Sequence, residues 1–164
     1  PMTNPAGAKR QVIGVFSIDW QHKMAEVLRL LGSEHAMVVH SDGLDEIRLD
    51  APTHVVELKN NDITEYDVSP ADLGLEPRTD ADLTGIVANS AESSLALVRQ
   101  SLNDDSSAAA DIVALNAGAA IYVSGVANSL LNGVEMAQDA ISSGQAKERL
   151  AELVRITSLM SESS

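Results

Sequence analysis

Three carboxylates fall within five residues in the segment Asp42-Gly43-Leu44-Asp45-Glu46. Charges this close repel one another unless a cation sits among them. A donor set of hard oxygens, with no nitrogen or sulfur, suits Mg²⁺. Mg²⁺ held by one or two carboxylates keeps several waters and bridges to substrate phosphates. The same residues also read as an acidic surface turn, with Gly43 allowing a sharp bend. Residues 42–82 hold twelve acids against three bases, so nine of the 13 excess negative charges sit there, most of them on a solvated face. A second candidate is Thr3-Asn4-Pro5-Ala6. It places polar side chains on a rigid turn that could contact a ligand, or it is a capping turn alone. The four histidines, His22, His35, His40 and His54, show no ligand spacing. They read as structural or bystander residues, His22 on a helix surface and the others at strand edges. Glycine-rich dinucleotide and Walker loops, His-Glu-x-x-His and Gly-x-Ser-x-Gly are absent from the sequence. No catalytic nucleophile or base is therefore assigned.

The position of the acidic turn follows from the elements around it. Gln11–Phe16 is a short apolar run, the pattern of a buried strand. Ser17 can cap a helix in which Trp20, Met24, Val27, Leu28 and Leu31 recur at helical spacing, and Gly32 stops it. Ala36–His40 is a second apolar run. Strand, helix and strand make a βαβ unit, so the two strands should be parallel with a right-handed crossover. Both lack the alternation of a half-exposed strand and read as buried on both faces. Ligands of open α/β sheets bind outside the carboxyl ends of such strands, which is where the acidic turn falls.

Beyond it, Ile47–Leu49, Thr53–Leu58 and Ile63–Val68 read as short strands, the last two joined by a turn at Asn60-Asn61-Asp62. Residues 69–84 read as a long loop broken by Pro70, Gly74 and Pro77. The remainder is helical. One helix starts at Asn89 or Ser90 and lines up Ala91, Leu95, Val98 and Leu102. Ser107–Ser124 is alanine-rich and apolar nearly all round, hence central and buried, with Gly125 as its stop. Its small residues Ala117 to Ala120 should let a neighbour pack closely. Two more helices follow, at about Leu130–Ser142 and Gln145–Met160, the last with Leu150, Leu153, Val154 and Thr157 on one side. The expected architecture is a single α/β domain or fragment spanning residues 1–164. It is strand-rich over 11–68, a loop over 69–88 and helical over 89–160.

Length and composition bound the rest. The chain has 164 residues, enough to bury a real core. Aromatics are confined to Phe16, Trp20, Tyr66 and Tyr122, so the core must be aliphatic and alanine-rich. There is no cysteine, which excludes disulfides and thiolate zinc sites and is compatible with the cytoplasm. A net charge of −13 argues against nucleic-acid and anionic-membrane partners. The longest apolar stretch, Ile112–Val123, is interrupted by Asn116 and falls short of the ~20 residues of a membrane span. Lys9 and Arg10 are not followed by the apolar region of a signal peptide. The opening Pro1-Met2-Thr3-Asn4-Pro5, with a buried-type strand soon after, reads like the middle of a protein.

Taken together, these segments resemble one family. Pro1–Ala6, Val12–Ser17, Leu31–His40 and Asp42–Glu46 are similar to the C-terminal half of the anthranilate phosphoribosyltransferases. So are Leu115–Val123, Gly133–Ala137 and Ala140–Ala146, and the resemblance spans essentially the whole chain. It implies an enzyme of tryptophan biosynthesis that transfers the phosphoribosyl group of phosphoribosyl pyrophosphate to the amine of anthranilate, releasing pyrophosphate. It also implies the nucleoside phosphorylase-like phosphoribosyltransferase fold, a small helical domain and a large α/β domain with the active site between them; this chain would be the C-terminal portion of the large domain. Asp45 and Glu46 match the family's Mg²⁺-binding acidic pair. Asn4 and Pro5 fall near the aromatic-acceptor side. A homodimer is expected of the complete protein.

The family's Gly-Thr-Gly-Gly-Asp phosphate loop, its Lys-His-Gly-Asn segment and its anthranilate-binding arginine lie upstream and are not in this sequence. Residues 85–91 also depart from the family's usual Gly-Gly…Glu-Asn-Ala pattern. The chain alone is therefore expected to be inactive. Two other readings stand beside this one: a related pyrimidine nucleoside phosphorylase, and a diverged non-catalytic binding module. Asn4-Pro5-Ala6 with Asp42–Glu46 argues against the first. The second, if it bound nucleic acid, would show a basic patch, and the charge here is the opposite.

Overall fold

β1 (Arg10–Gly14) and β2 (His35–His40) pair in parallel, in register from Arg10 opposite His35 to Gly14 opposite Val39. In this computed structural model, residues 6–76, 78–79, 83–103 and 106–162 are described. Ser17 caps a short 3₁₀ turn, Ile18–Trp20, that leads into α1 (Gln21–Leu30). Gly32, in the left-handed region at φ 76°, turns the chain back into β2. β3 (Thr53–Lys59) runs antiparallel to β2, and β4 (Asp62–Val68) antiparallel to β3. The sheet order is β1-β2-β3-β4. Asn60 and Asn61 make the hairpin between β3 and β4 with φ of 52° and 71°. Asparagine tolerates that conformation, and its twist matches the strands.

The strap predicted as a strand at Ile47–Leu49 is not one. Ile47 and Leu49 are buried with Arg48 between them, which mimics a strand's alternation. The backbone bonds, however, run to side chains and a loop. Ile47 N–H and C=O meet Asn116, the Arg48 N–H donates to Thr53 Oγ1, and the Leu49 carbonyl accepts from the Arg78 N–H.

The central strands of the sheet are covered on both faces. Ala36, Val38, Val56 and Leu58 point to Ala25 and Leu28 of α1. Met37, Val39 and Val55 point the other way, to Leu115, Ala119 and Val123. β2 is thus buried on both faces, as its unbroken apolar run predicts. β1 is not: it lies at the sheet edge and only Ile13 is buried. The face that α1 presents also differs from expectation. Gln21, Ala25 and Leu28 are buried, while Trp20, Val27 and Leu31 are exposed. The Gln21 Nε2 donates to the carbonyls of Val38 and His54, both at 2.8 Å, and so docks the helix on the sheet through a polar group.

The second layer is helical: α2 (Ala91–Ser101), α3 (Ala108–Ser124), α4 (Leu130–Ser142) and α5 (Gln145–Glu162). Ser90, Ser107 and Ser129 cap the first three, and Gly125 closes α3 at φ 86°. α3 is central, as its composition predicts. A Cβ on Gly118 would lie 2.6 Å from the Val134 backbone of α4, so the small residues do allow close packing. The outer helices depart from expectation. Leu95 and Val98 of α2 and Leu153 and Val154 of α5 are exposed, not packed. No helix among the described residues is long and apolar enough to cross a membrane.

Candidate metal centre

The two parallel strands end side by side, and the loop after β2 folds across the end of β1. Ser41 and Leu44 exchange backbone hydrogen bonds of 3.0 and 2.8 Å around Asp42 and Gly43, whose φ angles are 34° and 86°. This two-residue turn reverses the chain immediately after the strand. The Ser41 hydroxyl donates to the Pro52 carbonyl at 2.7 Å and closes the base of the loop. The turn sends Asp45 back over β1. A Cβ on Gly14 would lie only 1.6 Å from the Asp45 carbonyl oxygen, so the acidic segment rests on bare glycine backbone. His40 Nδ1 donates to the Val15 carbonyl at 2.7 Å, tying the end of β2 to the segment after β1.

The downstream side is held as firmly. The Ile47 N–H donates to Asn116 Oδ1 at 3.0 Å, and Asn116 Nδ2 donates to the Ile47 carbonyl at 3.2 Å. Arg48 forks onto Asp50, Nε to Oδ1 at 2.7 Å and Nη2 to Oδ2 at 2.5 Å, and its Nη1 donates to the Asp42 carbonyl at 3.0 Å. Those Arg48 hydrogen bonds hold the Asp50 carboxyl below its ordinary range.

Asp45 and Glu46 are exposed on this braced loop. Among the described residues neither carboxylate has a salt-bridge partner. Nor do three or more His, Asp or Glu side chains gather into a cage there. The carboxylate of Asp42 is therefore not brought to a common centre with the other two. Two free hard-oxygen donors on a fixed backbone, open to solvent, fit Mg²⁺ held partly by protein and partly by water or phosphate. They do not fit an all-protein cage. Asn4 and Pro5 lie outside the described residues.

An apolar cavity of about 390 Å³ opens beside the loop, between Leu44, Leu49, Leu83, Ile86 and Ile112. A larger one of about 520 Å³ lies at the opposite end of the sheet, around Arg10, His35, Lys59 and Tyr122, away from the acidic pair. Sequence reasoning did not single out Gly14, His40, Arg48 or Asn116 as bracing residues. The signal that could have found Asn116 is an amide inside an otherwise apolar helix, since a buried polar group demands partners.

An acidic loop on the carboxyl ends of two parallel strands, with helices on both sides of the sheet, makes this an α/β domain whose acidic loop lies where open α/β sheets place their ligand sites. Residues 1–147 match the model of the glycosyl transferase family, a/b domain, and the chain belongs to that family. It is 55% identical over 164 residues to an anthranilate phosphoribosyltransferase of Teredinibacter turnerae, covering 97% of this chain and 47% of that protein. Identity to the Saccharophagus degradans anthranilate phosphoribosyltransferase is 54%, with the same coverage. Among solved structures, the anthranilate phosphoribosyltransferase of Thermus thermophilus superposes with a TM-score of 0.83 at 38% identity, over 93% of this chain and 44% of that one. The chain spans about half the length of the curated relatives it matches and corresponds to their C-terminal part. The fold is that of the phosphoribosyltransferase and nucleoside phosphorylase-like proteins.

Proposed function

We propose that this chain supplies the metal-holding wall of a phosphoribosyl-transfer site, in which the amine of anthranilate displaces pyrophosphate from phosphoribosyl pyrophosphate. The carrying observation is the pair Asp45 and Glu46, free and exposed on a loop braced from both sides. Identity above 50% to proteins named for this reaction supports it. The yeast anthranilate phosphoribosyltransferase, which shares the fold, has been solved with PRPP and Mg.

Asp45 and Glu46 would hold Mg²⁺ together with the pyrophosphate group. The bound ion would supply stabilisation of the charge that develops on the leaving group. The chain's own contribution is pre-organisation of the backbone: the loop that carries the two carboxylates is fixed before substrate arrives, which lowers the cost of bringing them onto the ion. No covalent nucleophile is needed, because the anthranilate amine is itself the nucleophile. In this reading the phosphate cradle and the group for the anthranilate carboxylate come from outside residues 1–164. The native-length protein works as a cytoplasmic homodimer.

The test is D45N combined with E46Q in the protein at its native length. Turnover at saturating anthranilate should fall at least about a hundredfold, the scale of losing electrostatic stabilisation at a leaving group. Calorimetry should show PRPP binding no longer strengthened by Mg²⁺. Near-normal turnover of the double variant across Mg²⁺ concentrations overturns the assignment.

A further inference from the structure

We infer that Asn116 is the positioning residue of the acidic pair: it sets where Asp45 and Glu46 stand, and thereby the concentration at which Mg²⁺ is taken up with PRPP. The inference rests on the reading of Asp45 and Glu46 as metal-holding groups.

Four observations carry it. First, Asn116 satisfies both backbone polar groups of Ile47, the residue directly after Glu46, through Oδ1 and Nδ2. No sheet ladder does so, because this segment is not a strand. Second, Asn116 Nδ2 also donates to the Ile112 carbonyl one turn earlier on α3, at 3.0 Å. That bond fixes the orientation of the carboxamide, so its donor and acceptor cannot exchange places without loss. Third, α3 is the central helix, and its neighbouring residues Leu115 and Ala119 are fully buried against β2 and β3. Asn116 is therefore mounted on a helix packed into the core. Fourth, the Asp45 carbonyl is seated on Gly14 from the other side. The acidic pair lies between these two anchors, with the Ile47 side chain driven into the core just beyond.

A ligand pair adjacent in sequence has only the backbone on which to be oriented. Groups that orient ligands from outside the coordination sphere typically change metal affinity by about 10–100-fold when removed. Asn116 grips the backbone immediately beside the pair from a helix packed into the core, and its removal should be felt as misplacement of the carboxylates.

The experiment compares N116A, N116D and the remote core variant I141V in the native-length protein. Ile141 packs with Ala114 and Ala137, in a cluster separate from the loop. Three quantities are read: melting temperature, amide exchange of peptides covering residues 45–47, and the Mg²⁺ concentration that half-saturates PRPP binding by calorimetry. N116A should speed exchange at 45–47 and raise the Mg²⁺ half-saturation about tenfold. N116D keeps the acceptor for the Ile47 N–H but places a carboxylate against the Ile47 and Ile112 carbonyls. It should lose as much, and it carries the test should N116A not fold. I141V should lower the melting temperature alone. An Asn116 variant that lowers the melting temperature while leaving the Mg²⁺ half-saturation unchanged overturns the inference. If D45N with E46Q also leaves that half-saturation unchanged, the metal-holding reading itself fails, and the two failures are thereby told apart.

Discussion

At the scale of single residues, the acidic loop shows how backbone and side chain share one task. Asp45 and Glu46 are the proposed metal-holding pair, yet among the described residues no side chain holds theirs. Their placement comes from Gly14 beneath, Asn116 beside, and Arg48 bridging Asp42 to Asp50. Gly14 is the most exacting of these positions. A methyl group there would meet backbone atoms of Asp45 rather than the flexible end of a side chain, so the loop would have to lift. G14A should therefore cost about 3 kcal/mol of stability, the upper end for overpacking. It should also expose the amides of residues 45–47 to exchange, as urea unfolding and exchange mass spectrometry would report. An alanine variant with unchanged stability and exchange would mean that the loop does not rest on the strand. The acidic segment 42–46 was legible in the sequence because charge density and position after a strand are local signals, while the choice of Asp45 and Glu46 within it came from the family resemblance. Its anchors were not, because Asn116 lies 69 residues from Ile47 along the chain and meets it only in three dimensions.

At the scale of elements, periodicity read well wherever an element is covered in the ordinary way. The parallel pair β1 and β2, the Asn60-Asn61 hairpin, the start of α2 at Ser90 and the buried α3 all follow from local pattern. It misread Ile47–Leu49, where two buried residues flank an arginine but the backbone bonds go to Asn116 and Thr53. It also misread α1, whose buried face includes Gln21, because the Gln21 Nε2 finds two sheet carbonyls as partners, although its buried Oε1 finds none among the described residues. One polar junction, invisible to periodicity, joins four elements. Glu57 of β3 accepts from Tyr66 of β4 at 2.8 Å, from Tyr122 of α3 at 2.8 Å and from His35 of β2 at 2.7 Å. Burial first, and then the Glu57 charge, push the Tyr66 hydroxyl well above the ordinary tyrosine range. A tyrosine whose folded pKa is raised contributes stability that is complete below its unfolded value of about 10. That contribution is lost as pH rises beyond it. Stability should therefore decline above pH about 10, and a Y122F background should show no tyrosinate absorbance from Tyr66 until the protein unfolds. Reversible ionisation near pH 10 with the circular dichroism intact would contradict this. Y66F should cost about 2 kcal/mol, since it removes one donor from a buried carboxylate.

At the scale of the whole molecule, the central strands of the sheet are covered on both faces but its β1 side is not. β1 is an edge strand, and around the segments that flank it Phe16 and Leu30 are 77% and 82% exposed, with Trp20 and Leu31 also open to solvent. A second apolar stripe runs along α5 through Leu153, Ile156 and Met160, all exposed. Isolated apolar side chains on a surface need no explanation, but groups of them beside an unpaired strand edge favour association. The relatives are about twice as long as this chain, so they contain a segment that could cover such surfaces. We expect residues 1–164 expressed alone to bind ANS and to sediment as a mixture of associated species. The N-terminal half of the Teredinibacter turnerae relative, supplied in trans, should suppress both. F16S with L30S offers an independent check: if the β1 side drives association, the polar pair should reduce ANS binding in the isolated chain without lowering its helix content. A monodisperse, ANS-silent monomer would show that the β1 edge and the α5 stripe are tolerated by the chain as it stands, and that the surface is no docking face for the remaining half.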